Sequence, residues 1–333
     1  MQRKGRDIAV QSVISETIDT ADQEAQYDTC VKCLLSEKII LAWILKECVS
    51  EFEQYSISQI MKDCIEGDPK VAVIAVDQDE LDYAEDLTDN NSVIEGMNTE
   101  DASIKEGKVY YDIRFSAVVP DTKEPVHLIL NVEAQKSDKT PYPLIKRAIY
   151  YVSRMISAQK NKVFVKSHYE KIRKVYSIWI QMNVEEEKAN TITKYKISEE
   201  QVIGNVSEKE SNYDLLTVMM LRLGPAEKAA DKPILRLLDV LLSAETKPEE
   251  KKEILEKDFD IPMSASMSEE ANIMCNLGEG IREQTAINTR VQSIIDLMDS
   301  MGIDVEKAMQ LLKIKDEERK YYHEKIDKRL AVK

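Results

Sequence analysis

The segment 175–182, VYSIWIQM, constrains the fold more than any other part of this sequence. It is a nearly continuous run of apolar, β-branched and aromatic residues. It lacks the strict alternation of polar and apolar residues that marks a sheet with one solvated face. Strands of this composition are usually buried on both faces of a central sheet. The segment therefore predicts a strand of a central sheet that is buried on both of its faces.

A second segment, 110–136, predicts a hairpin of two apolar strands joined by a polar turn. Its first strand contains Asp112, and its second strand contains Glu133 and Gln135, which share one face because strand side chains alternate. A turn centred symmetrically on PDTKEP pairs Asp112 directly with Glu133, with Cβ atoms ~5 Å apart. Carboxylates are rarely tolerated at such half-buried positions without a compensating charge or metal.

This acidic pair has two interpretations. Like charges directly opposite each other destabilise a strand pair, and a divalent cation between them reverses that effect. Hard carboxylate oxygens suit Mg²⁺, and Gln135 on the same face can orient a water or a phosphate oxygen. Alternatively, the hairpin lies at a sheet edge with a polar face, and Arg114 neutralises Asp112. The strand pattern alone leaves both open.

The distribution of charge bears on the partner. The net charge of −15 argues on its face against nucleic acid. The charge is uneven, however: residues 51–106 contain 16 acidic and 3 basic residues, whereas residues 136–174 contain 11 basic and 2 acidic residues. A basic stretch therefore follows the acidic hairpin directly.

Within this basic stretch, residues 142–159 predict a long helix. Arg147 and Tyr151 are four residues apart and share a face, with Arg154 close to them. Together with Lys160, the two arginines are candidates for binding a phosphodiester, and Tyr151 is a candidate for stacking on a base. The alternative, which we favour for the tyrosines, is that they pack the helix onto the sheet.

The remaining patterns are mostly helical. A buried helix is predicted over 27–52 and a short strand over 71–76. From about residue 192 onward the chain reads as mostly helical, including the segment 213–223, YDLLTVMMLRL. The segment 304–333 predicts a charged amphipathic helix pair.

The chain has no feature of a secreted or membrane protein. Its first ten residues lack the apolar segment of a secretory signal, and its longest apolar run, IILAWIL, is too short to cross a bilayer. We therefore expect a cytoplasmic protein that does not bind membranes.

The five cysteines are too few and too scattered for a disulfide framework. Cys30 and Cys33 form a CxxC motif, but no second pair of ligands follows to complete a zinc site. In a helix they would share one face as small apolar residues, which is the interpretation we favour.

An aspartate on one strand, Glu-x-Gln on the next, and a following helix with arginine and tyrosine resemble the PD-(D/E)XK nuclease superfamily. Within it, the segment 109–159 is similar to the PD-(D/E)XK family transposases, also called Rpn-type recombination-promoting nucleases. The flanking segments 27–46 and 213–220 resemble a bacterial branch of these proteins. The resemblance implies an α/β fold with a restriction-endonuclease-like core, a mixed sheet flanked by helices, and helical N- and C-terminal additions.

The domain boundaries that follow are an N-terminal helical and acidic region (1–90), which contributes a helix to the core, a nuclease core (91–185) and a mostly helical C-terminal region (186–333).

The resemblance also implies an activity, namely Mg²⁺-dependent hydrolysis of DNA phosphodiester bonds, with Mn²⁺ able to substitute, in recombination, transposition or defence. Asp112 and Glu133 match the two metal-binding acids. Gln135 would be the third catalytic residue, although it falls where the superfamily pattern has a lysine, whose positive charge it cannot supply. The superfamily often has another acid from an upstream element, and the candidates are Glu47, Glu95 and Glu100.

Two other functions stay open. The first is a DNA-binding protein with a lapsed active site, in which Gln135 marks lost chemistry. The second is a helical interaction protein, in which the segment 304–333 forms the interface, including that of a homo-oligomer. The retained pair of Asp112 and Glu133 favours the enzyme, because two facing strand carboxylates are costly to keep without a use.

Overall fold

The computed structural model describes most of the chain, namely residues 22–71, 100–103, 107–120, 126–137, 140–225, 228, 232–243 and 245–330. Most of the predicted strand 71–76 and the candidate acid Glu95 lie outside the described residues. The chain divides into two compact units, Asp28–Asn272 and Met1–Tyr27 with Ile273–Lys333.

A six-stranded mixed sheet forms the centre of the first unit. The described strands are β1 (Ile65–Val71), β2 (Glu100–Ser103), β3 (Gly107–Tyr110), β4 (Ile113–Val119), β5 (Val126–Ser137), β6 (Val175–Asn183), β7 (Thr191–Lys196) and β8 (Leu216–Arg222). The order along the six-stranded sheet is β1-β4-β5-β6-β8-β7, and a separate two-stranded sheet pairs β2 with β3. Helices of the same unit flank this sheet, so the fold is the predicted α/β class with a restriction-endonuclease-like arrangement.

Strand β6 is the central strand that the sequence predicts. It runs parallel to β5 on one side and to β8 on the other, and its first seven residues are buried. The apolar run thus has sheet neighbours on both edges and packing on both faces, as the continuous hydrophobic pattern requires.

The predicted hairpin is formed by β4 and β5. They pair antiparallel, with Ile113 opposite Val132 and Arg114 opposite Asn131. This is the register of a turn centred on PDTKEP, so the prediction is confirmed. Continued by one residue, the register places Asp112 opposite Glu133.

Strand β8 corrects the prediction of a helix over 213–223. This segment contains β8. The chain was also predicted to be mostly helical from about residue 192, but its first residues there form strand β7. Strand β8 lies between β6 and β7 and is buried along most of its length. An apolar run that is buried on both faces has no period of its own, so periodicity cannot distinguish it from a buried helix.

The predicted helix over 27–52 is interrupted. Helix α1 covers residues 22–36 and helix α2 covers Lys38–Cys48, with a bend at Glu37 between them. Short helical turns follow at Ser50–Phe52, Ile57–Gln59 and Ile60–Cys64.

Strand β1 begins before the predicted strand. It contains Gly67, whose φ of 66° falls in the left-handed region, and its pairing with β4 is irregular between Glu66 and Lys70. Glycine adopts this conformation without the steric cost that a side chain brings, so the sequence GDP is tolerated as a bulge at a sheet edge.

Helix α3 (Leu144–Ser157) confirms the helix predicted after the hairpin and forms the crossover between the parallel strands β5 and β6. Its buried residues recur at helical spacing and pack on Trp179, Val218 and Met220 of the sheet; they include Leu144, Ala148, Tyr151, Val152 and Met155. Tyr142 and Pro143 precede the helix, and Pro143 occupies its N-cap position.

The C-terminal half of the chain contains the remaining helices. They are α4 (Pro233–Leu242), α5 (Pro248–Phe259), α6 (Ala265–Met301), α7 (Val305–Leu311) and α8 (Asp316–Leu330), with short turns at Tyr169–Lys171, Glu186–Lys188 and Glu210–Tyr213. Helices α7 and α8 confirm the predicted helix pair, and the Asp304 side chain caps α7 by accepting the Lys307 N–H at 2.8 Å. Within the described residues, no helix combines the length and apolar character that a membrane crossing needs.

Candidate active site

The hairpin brings Asp112 and Glu133 into contact. Asp112 immediately precedes β4 and Glu133 lies within β5, and both are buried, with 6% and 2% of their surface exposed. The Asp112 backbone N–H donates to Glu133 Oε1 at 3.2 Å, and the Ala134 N–H donates to Asp112 Oδ2 at 3.0 Å. Each carboxylate therefore accepts a backbone hydrogen bond from the opposite strand, which orients both side chains.

The pair is electrostatically unfavourable by itself. Burial, and next the negative charge of Asp112, raise the pKa of the Glu133 carboxyl well above its usual value, although Arg147 and Asn131 act in the opposite direction. Asn131 acts through a hydrogen bond, since its side-chain amide donates to Glu133 Oε1 at 2.9 Å. Because a second negative charge is unfavourable at this site, the site favours binding of a cation.

One cation already contacts the pair, and the sequence analysis did not identify it. Lys32 of α1 places its Nζ 3.0 Å from Asp112 Oδ1 and 2.7 Å from Asp28 Oδ2. Its side chain is only 5% exposed. The available signal was a lysine within a helix predicted to be buried, with an aspartate four residues before it. Without the fold, nothing in the sequence connects that helix to the hairpin.

Arg114 was the predicted alternative for neutralising Asp112. Its guanidinium lies over the Tyr111 ring, with Cζ 5.0 Å from the ring centroid, and the residue is buried. The salt bridge to Asp112 comes from Lys32, on a different element.

Helix α3 places Arg147 and Tyr151 next to the acids. Arg147 Nη2 donates to the Tyr151 hydroxyl at 3.3 Å, and its Cζ lies 5.2 Å from the Tyr151 ring centroid and 5.4 Å from that of Trp179. Tyr151 is 6% exposed and packs edge to face on Tyr111, with centroids 5.5 Å apart. The alternative expected for the tyrosines, packing of the helix onto the sheet, holds for Tyr151.

The other two predicted DNA-binding residues differ in their exposure to solvent. Arg154 is buried, whereas Lys160 is exposed in the loop after α3. The loop is held by Gln159, whose side chain donates to the Arg173 carbonyl and accepts the Arg173 N–H, both at 2.8 Å. The basic surface therefore belongs to the loop more than to the helix.

Among the three candidates for an additional upstream acid, the structure describes the side chain of Glu47 alone. Glu47 is partly buried in α2, and Glu100 begins β2 with a side chain outside the described set. No group of three or more histidine, cysteine, aspartate and glutamate residues in the described ranges is close enough to hold a metal ion. Among the described residues, Asp28 is an upstream acid that is linked to the pair through Lys32.

Gln135 lies two residues after Glu133 on β5 and therefore on the same face of the sheet. It is half-buried, and the register pairs it with Gln181 of β6. Its amide is thus placed on the side of the sheet that carries the acidic pair.

The donor chemistry at the pair fits a divalent metal. Two adjacent carboxylates supply the hard oxygen ligands that Mg²⁺ prefers, and Mg²⁺ typically needs only one or two from the protein. The residues that would hold it are Asp112 and Glu133, whose mutual repulsion a cation relieves.

Comparison with known proteins agrees with this geometry. A family model described as PD-(D/E)XK nuclease family transposase matches residues 104–298, a range that includes the hairpin, the crossover helix and the central strands. No curated protein and no solved structure matches the chain. Because the match spans more than half of the 333 residues, the chain belongs to the PD-(D/E)XK nuclease family transposases, which supports a nuclease- or transposase-related role.

Proposed function

We propose that this protein is a metal-dependent endonuclease that hydrolyses phosphodiester bonds of DNA in the cytoplasm, in recombination, transposition or defence. The observation that supports this most directly is the buried pair of Asp112 and Glu133, held face to face by reciprocal hydrogen bonds. Burial of two facing carboxylates costs stability, and a bound cation used in catalysis is a reason to retain them.

In this proposal Asp112 and Glu133 hold Mg²⁺, for which Mn²⁺ can substitute. A bound ion would supply Lewis acidity toward the phosphate and make water a stronger nucleophile. The chain's own residues orient these groups: backbone N–H groups fix both carboxylates, and Asn131 fixes Glu133. The Gln135 amide orients the attacking water or a phosphate oxygen from the same face.

DNA would approach over the basic loop after α3. The exposed residues Lys160, Lys162 and Lys166 follow one another in this loop, and Gln159 fixes the loop to the start of β6. Lysines on a held loop neutralise backbone phosphates without reading bases, so the expected binding depends on salt and not on sequence.

The direct test is incubation of supercoiled plasmid with the purified protein in Mg²⁺, in Mn²⁺ and in EDTA. We expect nicked and linear products with either metal and intact plasmid in EDTA. Cleavage that continues in EDTA would contradict metal dependence. Absence of cleavage under all three conditions, with DNA binding retained, would favour the second candidate function.

That second candidate is a DNA-binding protein whose active site has lapsed, and the presence of Gln135 in place of lysine favours it. A neutral amide cannot stabilise developing negative charge as an ammonium does. Self-association through the C-terminal helices stays a prediction, and size-exclusion chromatography with light scattering tests it.

Gln135 variants separate turnover from metal binding. Gln135→Ala should reduce the cleavage rate at saturating Mg²⁺ while changing the affinity for Mn²⁺ little, because the amide acts on water or phosphate. Gln135→Lys should raise the Mg²⁺ concentration needed for half-maximal cleavage, because the new ammonium repels the metal. Cleavage assays across a Mg²⁺ titration measure both. Wild-type cleavage by the alanine variant would remove Gln135 from the mechanism.

Replacement of Lys160 should change DNA binding, whereas replacement of Arg154 should change stability. Lys160→Ala should weaken binding to unrelated duplexes equally and reduce the slope of log affinity against log salt by roughly 0.9. Arg154→Ala should mainly lower the melting temperature, because Arg154 is buried. Fluorescence anisotropy with two unrelated duplexes, alongside thermal melts, measures these effects. A loss of affinity for one sequence alone would indicate that Lys160 reads bases.

A further inference from the structure

A lysine placed between two carboxylates connects helix α1 to the acidic pair. Lys32 Nζ bridges Asp28 Oδ2, four residues earlier in the same helix, and Asp112 Oδ1, next to β4. The two contacts differ in exposure, because the Asp28 side chain is 35% exposed and the Asp112 side chain is 8% exposed. The ammonium therefore has one buried partner and one partner near solvent.

We propose that Lys32 is an exchangeable counter-ion of the metal site. In the metal-free protein it neutralises Asp112, and when a divalent cation binds Asp112 it leaves that residue and pairs with Asp28 alone. This inference rests on the proposed function of Asp112 as a metal ligand. Lys32 acts through Asp112 and Asp28, so it is a positioning residue.

The hydrogen bonds of Asp112 explain why the two cations compete. Oδ2 accepts the Ala134 N–H of the opposite strand at 3.0 Å. Oδ1 faces Lys32. Because both oxygens belong to one carboxylate, a divalent cation bound to Asp112 lies close to the ammonium of Lys32, and two positive charges that close repel each other strongly in a buried site.

Asp28 explains why Lys32 can give up this contact. An ammonium left in a protein interior without a partner is strongly destabilising, so Lys32 could not leave Asp112 without another partner. Asp28 lies within 2.7 Å of Nζ and remains available after the exchange. Because Asp28 and Lys32 are four residues apart in one helix, they share a face, and no change in the backbone is needed for them to stay paired.

The chain offers a matched control elsewhere in the same unit. Lys174 also bridges two carboxylates, with Nζ 2.9 Å from Glu51 Oε1 and 2.5 Å from Asp214 Oδ2. Neither partner belongs to the Asp112 and Glu133 pair. Removing Lys174 therefore breaks an equivalent bridge without touching the site.

The test is calorimetric titration of Mn²⁺ into the full chain without DNA, so that activity is not the readout. Lys32→Met should bind Mn²⁺ at least about tenfold more tightly than wild type, because the competing charge is gone. Asp28→Asn should bind about tenfold more weakly, because the ammonium loses its alternative partner. Lys174→Met should bind like wild type. General damage to the fold would weaken binding in every variant, so opposite shifts from Lys32 and Asp28 are diagnostic.

A double variant separates the exchange from direct metal binding by Asp28. If Asp28 acts only through Lys32, adding Asp28→Asn to Lys32→Met changes the Mn²⁺ affinity no further. A further loss in that background would make Asp28 a metal ligand and overturn the exchange. Unaltered affinity in Lys32→Met would also overturn it. Should the methionine variant fail to fold, Lys32→Gln keeps hydrogen bonding to both aspartates without the charge, and it should also bind Mn²⁺ more tightly.

Failure of the proposed function gives a different result. If wild type binds no Mn²⁺, or if binding persists unchanged in Asp112→Asn and Glu133→Gln, the metal site itself is wrong and the exchange falls with it. If wild type binds Mn²⁺ through both acids while the Lys32 and Asp28 variants match wild type, only the exchange is wrong.

Discussion

Metal-dependent cleavage by Asp112→Asn and by Glu133→Gln should each fall by roughly 100-fold or more, the scale expected when one strong electrostatic contributor to an active site is removed. Both substitutions keep the size of the side chain and replace a charged ligand by a neutral amide. Because the two carboxylates would hold the same cation, neither can replace the other. Rates of plasmid nicking at saturating Mg²⁺, corrected for the folded fraction, measure the loss.

Glu51→Gln is the matched control for this loss. Glu51 is a partly buried carboxylate paired with Lys174 and hydrogen-bonded by the Tyr176 hydroxyl at 2.6 Å, outside the acidic pair. Its replacement should leave the cleavage rate per folded molecule near that of wild type. An Asp112 or Glu133 variant that nicks plasmid as fast as this control would remove that residue from the site.

Asp112→Asn and Glu133→Gln should shift the free energy of unfolding in opposite directions when it is measured in EDTA. Asp112→Asn removes the buried partner of Lys32, and breaking a buried ion pair costs about 3–5 kcal/mol, less whatever pairing with Asp28 preserves. Glu133→Gln removes the charge that burial and Asp112 oppose, so it should raise the free energy of unfolding. Urea denaturation in EDTA measures both changes. Equal shifts in one direction would contradict the asymmetric placement of Lys32.

The pH dependence of stability distinguishes Glu133 from other acids. Its pKa in the folded protein lies well above the usual 4.5, so its contribution to stability is fully present below 4.5 and is lost as the pH rises through the raised value. Each unit of this shift is worth about 1.4 kcal/mol. Glu133→Gln should remove this loss from the wild-type profile measured in EDTA. A variant profile that keeps the full loss would show that another group titrates.

The contacts within the hairpin could be derived from the sequence because they are local. The polar turn and the alternation of apolar residues set the register of β4 and β5, and a slip of one residue would have moved every apolar side chain to the other face. Asp112 and Glu133 were therefore placed opposite each other correctly. The central strand β6 was recognised for a similar reason, since its composition matches burial on both faces.

Patterns without a distinctive period were misread. The segment containing β8 has the continuous apolar character of any buried element, and only its pairing with β6 and β7 makes it a strand. The solvent exposure of charged residues could not be predicted from the sequence either. Arg154 and Lys160 are both basic residues near the end of α3, yet one is buried and the other is exposed.

By itself, the sequence determined the register of the hairpin and the pairing of Asp112 with Glu133, because short-range alternation and turn geometry specify these features. The fold class followed from the resemblance of this segment to a known family. The tertiary structure alone decided which charge meets that pair. Lys32 and Asp28 belong to a helix about 80 residues before the hairpin, and the fold brings the ammonium to 3.0 Å from Asp112. No periodicity encodes such a contact, because the long-range packing of elements depends on the shape of the whole core and not on local spacing.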